Sequence, residues 1–114
     1  MADNWFGYPA QKHRIHLSQA YTLLGDTTSA RAEQEAALAL TDAPSVMSRA
    51  LLALDHAQCQ HIDKDPQTAA DTATTTWHQL PKGYQNGLVR TRAETLRDAL
   101  TGRPRDQLTE ALST

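Results

Sequence analysis

Three side chains with metal-binding or nucleophilic chemistry share one predicted helix face. His56, Cys59 and Asp63 are spaced at i, i+3 and i+7, so a helix would present an imidazole, a thiol and a carboxylate in one row. This set could hold zinc, but no Cys-x-x-Cys or His-x-x-x-His pair supports the site, and Asp63 falls at the predicted helix end. We expect a partly buried histidine and a cysteine that packs as a small apolar residue, with no metal bound.

The same cysteine could in principle act as a nucleophile, with a histidine as its base. The sequence shows no orienting third group for such a pair, no glycine-rich phosphate loop and no paired carboxylates. The acidic turn Asp63-Lys64-Asp65 is too short to resemble a calcium loop, and Asp65 is explained by helix capping. We therefore predict a protein that binds rather than catalyses and that needs no cofactor.

Composition indicates which elements carry these side chains. The 114 residues suffice for one domain, and the apolar set contains 18 Ala and 14 Leu against two Val and two Ile. Ala and Leu favour helices, whereas a sheet needs β-branched residues. No apolar stretch approaches the ~20 residues that span a bilayer, and no secretory signal is visible. The single cysteine fits a reducing cytoplasm, so we expect a cytoplasmic protein with no membrane partner.

Charge is unevenly distributed along the chain. The formal net charge is −2, but residues 26–81 hold three bases and eight acids, whereas residues 82–105 hold six bases and two acids. Two interpretations remain open: solvated helix faces of opposite bias, or a basic face that meets an acidic partner or a nucleic acid. The near-neutral total and the absence of a DNA-binding motif favour the first, so we predict no direct DNA binding by this chain.

Breakers and capping residues divide the sequence into about six helices, which predicts an all-α fold of antiparallel hairpins. An aromatic lead-in at residues 1–8 precedes hairpin 1 (9–41), hairpin 2 (45–80) and a third hairpin of capping helices (82–112). Gly25 should end the first helix, and Asp26 or Thr27 should cap the second. Ser45 and Asp65 are the predicted caps of the third and fourth helices. The fifth helix should begin near Lys82 and the sixth near Pro104. In the first helix, the predicted apolar face consists of Leu17, Ala20, Tyr21 and Leu24.

Two hairpins align at an offset of 39 residues, since residues 24–30 and 63–69 both form a turn, a capping Asp and a small Ala. The pattern resembles a tetratricopeptide repeat, whose period is about 34 residues, and it predicts about two and a half repeats. The positions that fit are Leu17, Tyr21, Gly25, Ala30, Ala37, Ala69 and Pro81. The positions that depart from it are Ser18, Gln34, His56 and Gln60, where the repeat has Gly, an aromatic residue, Leu and Tyr.

Five segments carry a more particular resemblance. They are Trp5-Phe6-Gly7-Tyr8, residues 16–26, residues 33–40, residues 48–55, and Leu80-Pro81 with Gly87-Leu88-Val89-Arg90. Together they resemble the C-terminal tetratricopeptide-like domain of actinobacterial helix-turn-helix (XRE-type) transcriptional regulators, over about residues 5–112. The resemblance implies a helical-hairpin array that follows an N-terminal DNA-binding domain and mediates self-association or effector sensing. No such N-terminal domain occurs in this sequence, so we expect a fragment or a stand-alone relative.

Binding residues follow from the repeat register, because the first helix of each pair lines the concave surface of such an array. The candidates are Lys12, Gln19, Thr22, Gln58, His61 and Arg92. This polar set suits a peptide carboxylate or an acidic side chain, and the alternative is that these positions are solvated and inert. We predict an interaction domain of a transcriptional regulator that acts by oligomerisation or by docking a protein partner. The alternative is an effector-sensing domain with a peptide or small molecule in the groove.

The aromatic residues Trp5, Phe6 and Tyr8 are candidate interface residues. They could pack onto the first hairpin as a cap, stay exposed, or form a self-association surface. Because each repeat borrows the buried face of its neighbour, an array of this length lies near the lower limit of stability. Self-association would cover its open ends, so we expect a homodimer.

Overall fold

Six α-helices form the described part of the chain. The computed structural model describes residues 2–40 and 45–113, with side chains from Ala10 onward. The helices are α1 (Ala2–Leu24), α2 (Thr27–Ala39), α3 (Val46–Ile62), α4 (Pro66–Gln79), α5 (Gly87–Ala99) and α6 (Gly102–Ser113), with a 3-10 turn at Lys82–Tyr84. No strand occurs in these ranges, and the prediction of an all-α fold is confirmed.

Polar caps begin the helices at the predicted residues. An oxygen of the Asp26 carboxylate accepts a hydrogen bond from the backbone N–H of Ser29 at 3.1 Å, and Ser45 accepts one from Ser48 at 3.0 Å. Asp65 does the same for α4, where Pro66 occupies the first turn. The chain leaves α1 at Gly25, whose φ of 79° lies in the left-handed region that favours glycine.

Three helix starts differ from the predictions. The backbone is helical from Ala2, so residues 2–8 of the predicted lead-in belong to α1. The fifth helix begins at Gly87 rather than near Lys82, because the intervening residues close the end of α4: Gln85 Nε2 donates to the carbonyl of Trp77 at 2.9 Å. The sixth begins at Gly102, two residues before Pro104.

The hairpins pack in chain order. In hairpin α1–α2, Gln11 and Arg14 on α1 bond to Ala37 and Glu33 on α2, so the two helices are antiparallel. Helices α3 and α4 form the second hairpin, and α1, α3 and α5 pack as a row of first helices. The third hairpin departs from a regular array, because the backbone of α4 packs more extensively against α6 than against α5. The helical hairpins are observed, and the tetratricopeptide-like identity stays a prediction.

The apolar core lies mainly among α3, α4, α5 and α6. Trp77 on α4 is 2% exposed and is surrounded by a cluster that includes Leu52, Leu54, Leu96, Leu100 and Leu108. The guanidinium carbon of Arg90 lies 5.6 Å from the centre of the Trp77 ring, a cation–π distance. Among the first-hairpin residues whose side chains are described, from Ala10 onward, Ile15 and Ala37 belong to this cluster.

Candidate functional site

The buried face of α1 is polar. Gln11, Ile15, Ser18 and Thr22 recur at helical spacing, and each is no more than 8% exposed. The predicted apolar face is therefore wrong. Of its members, Leu17 and Tyr21 are half-buried, and Ala20 and Leu24 are exposed. A polar face can be buried here because its side chains find hydrogen-bond partners on α2 and α3.

Asp55 on α3 is the centre of this polar network. The Ser18 hydroxyl donates to Asp55 Oδ2 at 2.9 Å, and Arg92 Nη1 on α5 donates to Oδ1 at 2.8 Å. The side chains of Asp55 and Arg92 are only 4% and 13% exposed, so the ion pair is largely removed from water. One carboxylate therefore ties α1 and α5 to α3.

Burial dominates the electrostatics of Asp55. Loss of solvent raises the pKa of its carboxyl above the ordinary value, and the positive charge of Arg92 and the hydrogen bond from Ser18 oppose that rise. The free energy lost by desolvating the carboxylate is offset by its contacts with Arg92 and Ser18, which face its two oxygens. The carboxylate is therefore tolerated inside the protein.

The network continues into α2 and towards Cys59. Gln34 Nε2 donates to the Ser18 hydroxyl oxygen at 3.2 Å and lies 3.9 Å from Cys59 Sγ. Thr22 Oγ1 is 3.6 Å from the same sulfur and donates to the carbonyl of Ser18 at 2.7 Å. Four helices, α1, α2, α3 and α5, therefore meet at one set of buried polar groups.

This arrangement positions helices and gives no access to a substrate. Ser18 and Cys59 are both 0% exposed, and the Ser18 hydroxyl donates directly to a carboxylate instead of to a histidine base. The network holds helix positions through specific hydrogen bonds. It is the best-organised polar group in the described part of the chain.

A second polar group connects α3 to α4. Gln60 Nε2 is 3.3 Å from His56 Nε2, and the Thr72 hydroxyl on α4 donates to Gln60 Oε1 at 2.8 Å. Burial, and to a lesser degree the positive charge of Arg31, lowers the pKa of His56 below its ordinary value. His56 therefore favours its neutral form in the folded protein.

The three residues with candidate metal chemistry are engaged by different partners. His56 contacts Gln60, and Cys59 contacts Thr22 and Gln34. Asp63 accepts hydrogen bonds from Arg31 at 2.8 Å and from Thr27 at 3.0 Å. Among the side chains that the structure describes, in residues 10–40 and 45–113, no three His, Cys, Asp or Glu residues form a group that could hold a metal ion.

The predicted groove residues differ in their exposure and in their partners. Lys12 is exposed, and Gln19, Gln58 and His61 are half-buried. Thr22 differs from its predicted place on an open surface: it is 5% exposed and faces Ser18 and Cys59. Arg92 is occupied by its ion pair with Asp55. A ligand in a groove lined by these residues stays a prediction.

The candidate interface residues Trp5, Phe6 and Tyr8 lie on the backbone of α1. Their side chains are outside the residues whose side chains the structure describes. Their proposed role in self-association stays a prediction.

Sequence reasoning missed the centre of the network, although a signal was present. Asp55 ends an apolar run in α3, from Ala50 to Leu54. Its partner Ser18, and Gln34, which donates to Ser18, are two departures from the repeat pattern. The other two departures, His56 and Gln60, form the second polar group. All four departures thus place polar side chains where they bond to each other or to a neighbouring helix.

Large apolar side chains remain exposed on the described surface. Leu23 and Leu24, at the end of α1, are 76% and 79% exposed. Leu38, Leu40, Val46 and Met47, which flank residues 41–44, are 42–44% exposed, and Leu88 on α5 is 50% exposed. None of the described helices combines the length and apolar character that a membrane crossing requires.

Comparison of the chain with known protein families, curated proteins and solved structures gives no match. The function of the chain is therefore inferred from its sequence and from the geometry of its described residues.

Proposed function

We propose that this chain is a non-enzymatic interaction domain of a transcriptional regulator, acting by oligomerisation or by docking a protein partner. The link to transcription rests on the resemblance of its segments to the C-terminal domains of XRE-type regulators. The binding role has independent support in the distribution of polar and apolar side chains.

The observation that carries the proposal is the inverted polarity of α1. This helix buries Gln11, Ser18 and Thr22, yet Leu23 and Leu24 are more than three-quarters exposed. Single exposed leucines are common on protein surfaces. Here two adjacent leucines are exposed at the end of a helix that buries polar side chains, so these two leucines add little to the packing of the chain itself. Their exposure favours a surface that a partner covers.

The buried network supports the same role. A domain that binds through its surface requires helices in fixed positions, and the contacts of Asp55 with Ser18 and Arg92 fix three of them. Polar contacts specify one arrangement because each donor needs its own acceptor. The network therefore serves as a scaffold for the binding surface.

The test is the mass of the purified chain in solution, measured by light scattering and sedimentation over low to high micromolar concentration. We expect a dimer whose fraction rises with concentration. The variant Leu23→Gln/Leu24→Gln should shift this equilibrium towards monomer, because it removes apolar area from the contact. Leu88→Gln is the matched control, since it replaces an exposed leucine on α5.

A monodisperse monomer at every concentration would contradict oligomerisation. The proposal would then rest on docking of a different protein. An equal loss of dimer in the α1 variant and in the Leu88→Gln control would show that the surface at Leu23 and Leu24 has no special role.

A further inference from the structure

A chain of three side chains connects α3 to α4 with a defined hydrogen-bond direction. Thr72 Oγ1 donates to Gln60 Oε1 at 2.8 Å, so the oxygen end of the Gln60 amide is occupied. The NH₂ end lies 3.3 Å from His56 Nε2. An amide nitrogen can only donate, and the imidazole nitrogen that faces it must therefore accept, which requires His56 Nε2 to carry no proton.

Arg31 on α2 is the charged group that acts on His56. Its guanidinium reaches the end of α3, where it pairs with Asp63 at 2.8 Å. On the other helices that pack against α3, several charged side chains are held by partners other than His56. These are Arg14 on α1, paired with Glu33, Asp71 on α4, held by Gln67 and Gln107, and Arg92 on α5, paired with Asp55. Burial and the positive charge of Arg31 thus both disfavour a proton on His56.

We propose that His56, Gln60 and Thr72 form a proton-controlled link between α3 and α4, in which the protonation state of His56 sets the direction of both hydrogen bonds. With neutral His56, donation runs from Thr72 to Gln60 and from Gln60 to His56. When Nε2 takes up a proton from solvent, the imidazolium can only donate. The Gln60 amide must then turn over, so that its oxygen faces His56 and its NH₂ group faces Thr72.

The reversed link requires a new acceptor for the Thr72 hydroxyl. In a helix, the backbone carbonyl four residues earlier can accept the hydrogen bond of a threonine hydroxyl. Thr76 on the same helix forms such a bond, since its hydroxyl donates to the carbonyl of Thr72 at 2.8 Å. The added charge also repels Arg31, whose only ion pair in the described residues is with Asp63. Acidification therefore acts on two helix contacts, α3 with α4 and α2 with α3, through one imidazole.

Nuclear magnetic resonance of the full chain, ¹⁵N-labelled and titrated between neutral and mildly acidic pH, tests the proposal. At neutral pH we expect His56 to carry its proton on Nδ1, with Nε2 bare. The side-chain amide signals of Gln60 should then shift with the same midpoint as His56. That midpoint should lie below the one that His56 shows in the urea-unfolded chain. In Arg31→Gln, the midpoint should rise by a few tenths of a pH unit, because one repulsive charge is removed.

Two threonine variants separate the link from general effects on α4. Thr72→Val leaves the Gln60 amide free to turn over, so His56 should accept its proton at higher pH. Thr75→Val is the matched control, since Thr75 is exposed on the same helix, and it should leave the midpoint unchanged. Circular dichroism establishes that each variant is folded.

Three results would overturn the proposal. They are a proton on Nε2 at neutral pH, Gln60 amide signals that do not follow His56, and equal midpoints in the two threonine variants. None of these measurements depends on self-association, so they leave the proposed function to its own test.

Discussion

The Asp55–Arg92 pair is the residue-scale feature with the largest expected energetic effect. Each charge loses solvation on burial, and the pair is tolerated because the two groups compensate each other. Arg92 Nε is also buried without a hydrogen-bond partner among the described residues, so Asp55 is the principal compensation for this guanidinium.

Replacing Asp55 alone should therefore be costly. We expect Asp55→Ala to lower the free energy of unfolding by about 3–5 kcal/mol, since it leaves Arg92 buried with no opposite charge. Urea denaturation measures this difference. Asp63→Ala is the control: it removes an ion pair that is mostly exposed, which should cost about 1 kcal/mol or less.

The double variant Asp55→Leu/Arg92→Met distinguishes pairing from shape. Removing both charges eliminates the uncompensated ion, so this variant should recover most of the stability lost in Asp55→Ala. If it is as unstable as the single variant, the ion pair is not the reason for the loss.

His56 and Asp55 give opposite contributions to the pH dependence of stability. The folded pKa of His56 lies below its unfolded value of about 6.5, so the unfolded chain binds more protons as the pH falls through that value. The contribution of neutral His56 to the free energy of unfolding is thus complete above pH about 6.5 and is lost as the pH falls below that value. The pKa of Asp55 is raised, so the folded state binds its proton more readily, and this group favours folding as the pH falls towards 3.8.

The change in the free energy of unfolding just below pH about 6.5 is therefore a measure of the protonation of His56. We expect the urea midpoint of the wild-type chain to fall between mildly alkaline and mildly acidic pH, and to fall less in His56→Gln, which has no imidazole to protonate. Equal pH dependence in the two chains would show that His56 does not govern stability in this range.

At the scale of helices, the sequence predicted the boundaries better than the buried faces. Gly25 and the caps Asp26, Ser45 and Asp65 act through their own backbone neighbours, so local sequence suffices to place them. The start of α5 was harder to place, because it depends on a side chain of the preceding turn, Gln85, bonding back to α4.

The face of α1 could not be predicted from apolar periodicity. Periodicity assumes that the buried side chains are apolar, whereas Ser18 and Gln11 are buried because Asp55 and Ala37 on other helices accept their hydrogen bonds. Those partners are 37 and 26 residues away in sequence. The departures from the repeat pattern indicate which positions bury polar side chains. Only the packed helices show which of these side chains contact each other.

At the scale of the whole molecule, two regions differ in how they are held together. Helices α3 to α6 supply most of the apolar cluster around Trp77. From Ala10 onward, where side chains are described, hairpin α1–α2 adds Ile15 and Ala37 to that cluster and contacts α3 through the hydrogen bonds of Ser18 and Gln34. Burying one large apolar side chain contributes about 1.5–3 kcal/mol to the free energy of folding. A typical intramolecular hydrogen bond contributes a net of about 0.5–1.5 kcal/mol. From the described side chains we therefore expect the first hairpin to be the less strongly attached part of the fold.

This difference predicts that the first hairpin opens before the rest of the molecule unfolds. In native-state hydrogen exchange, amides of α1 and α2 should exchange with a lower opening free energy than amides of α4 and α6. Asp55→Asn should accelerate exchange in α1 more than in α6, because Ser18 loses its charged acceptor while the contacts of α4 with α6 are unchanged. A single opening free energy for all six helices would mean that the polar network couples the first hairpin to the core as tightly as apolar packing does.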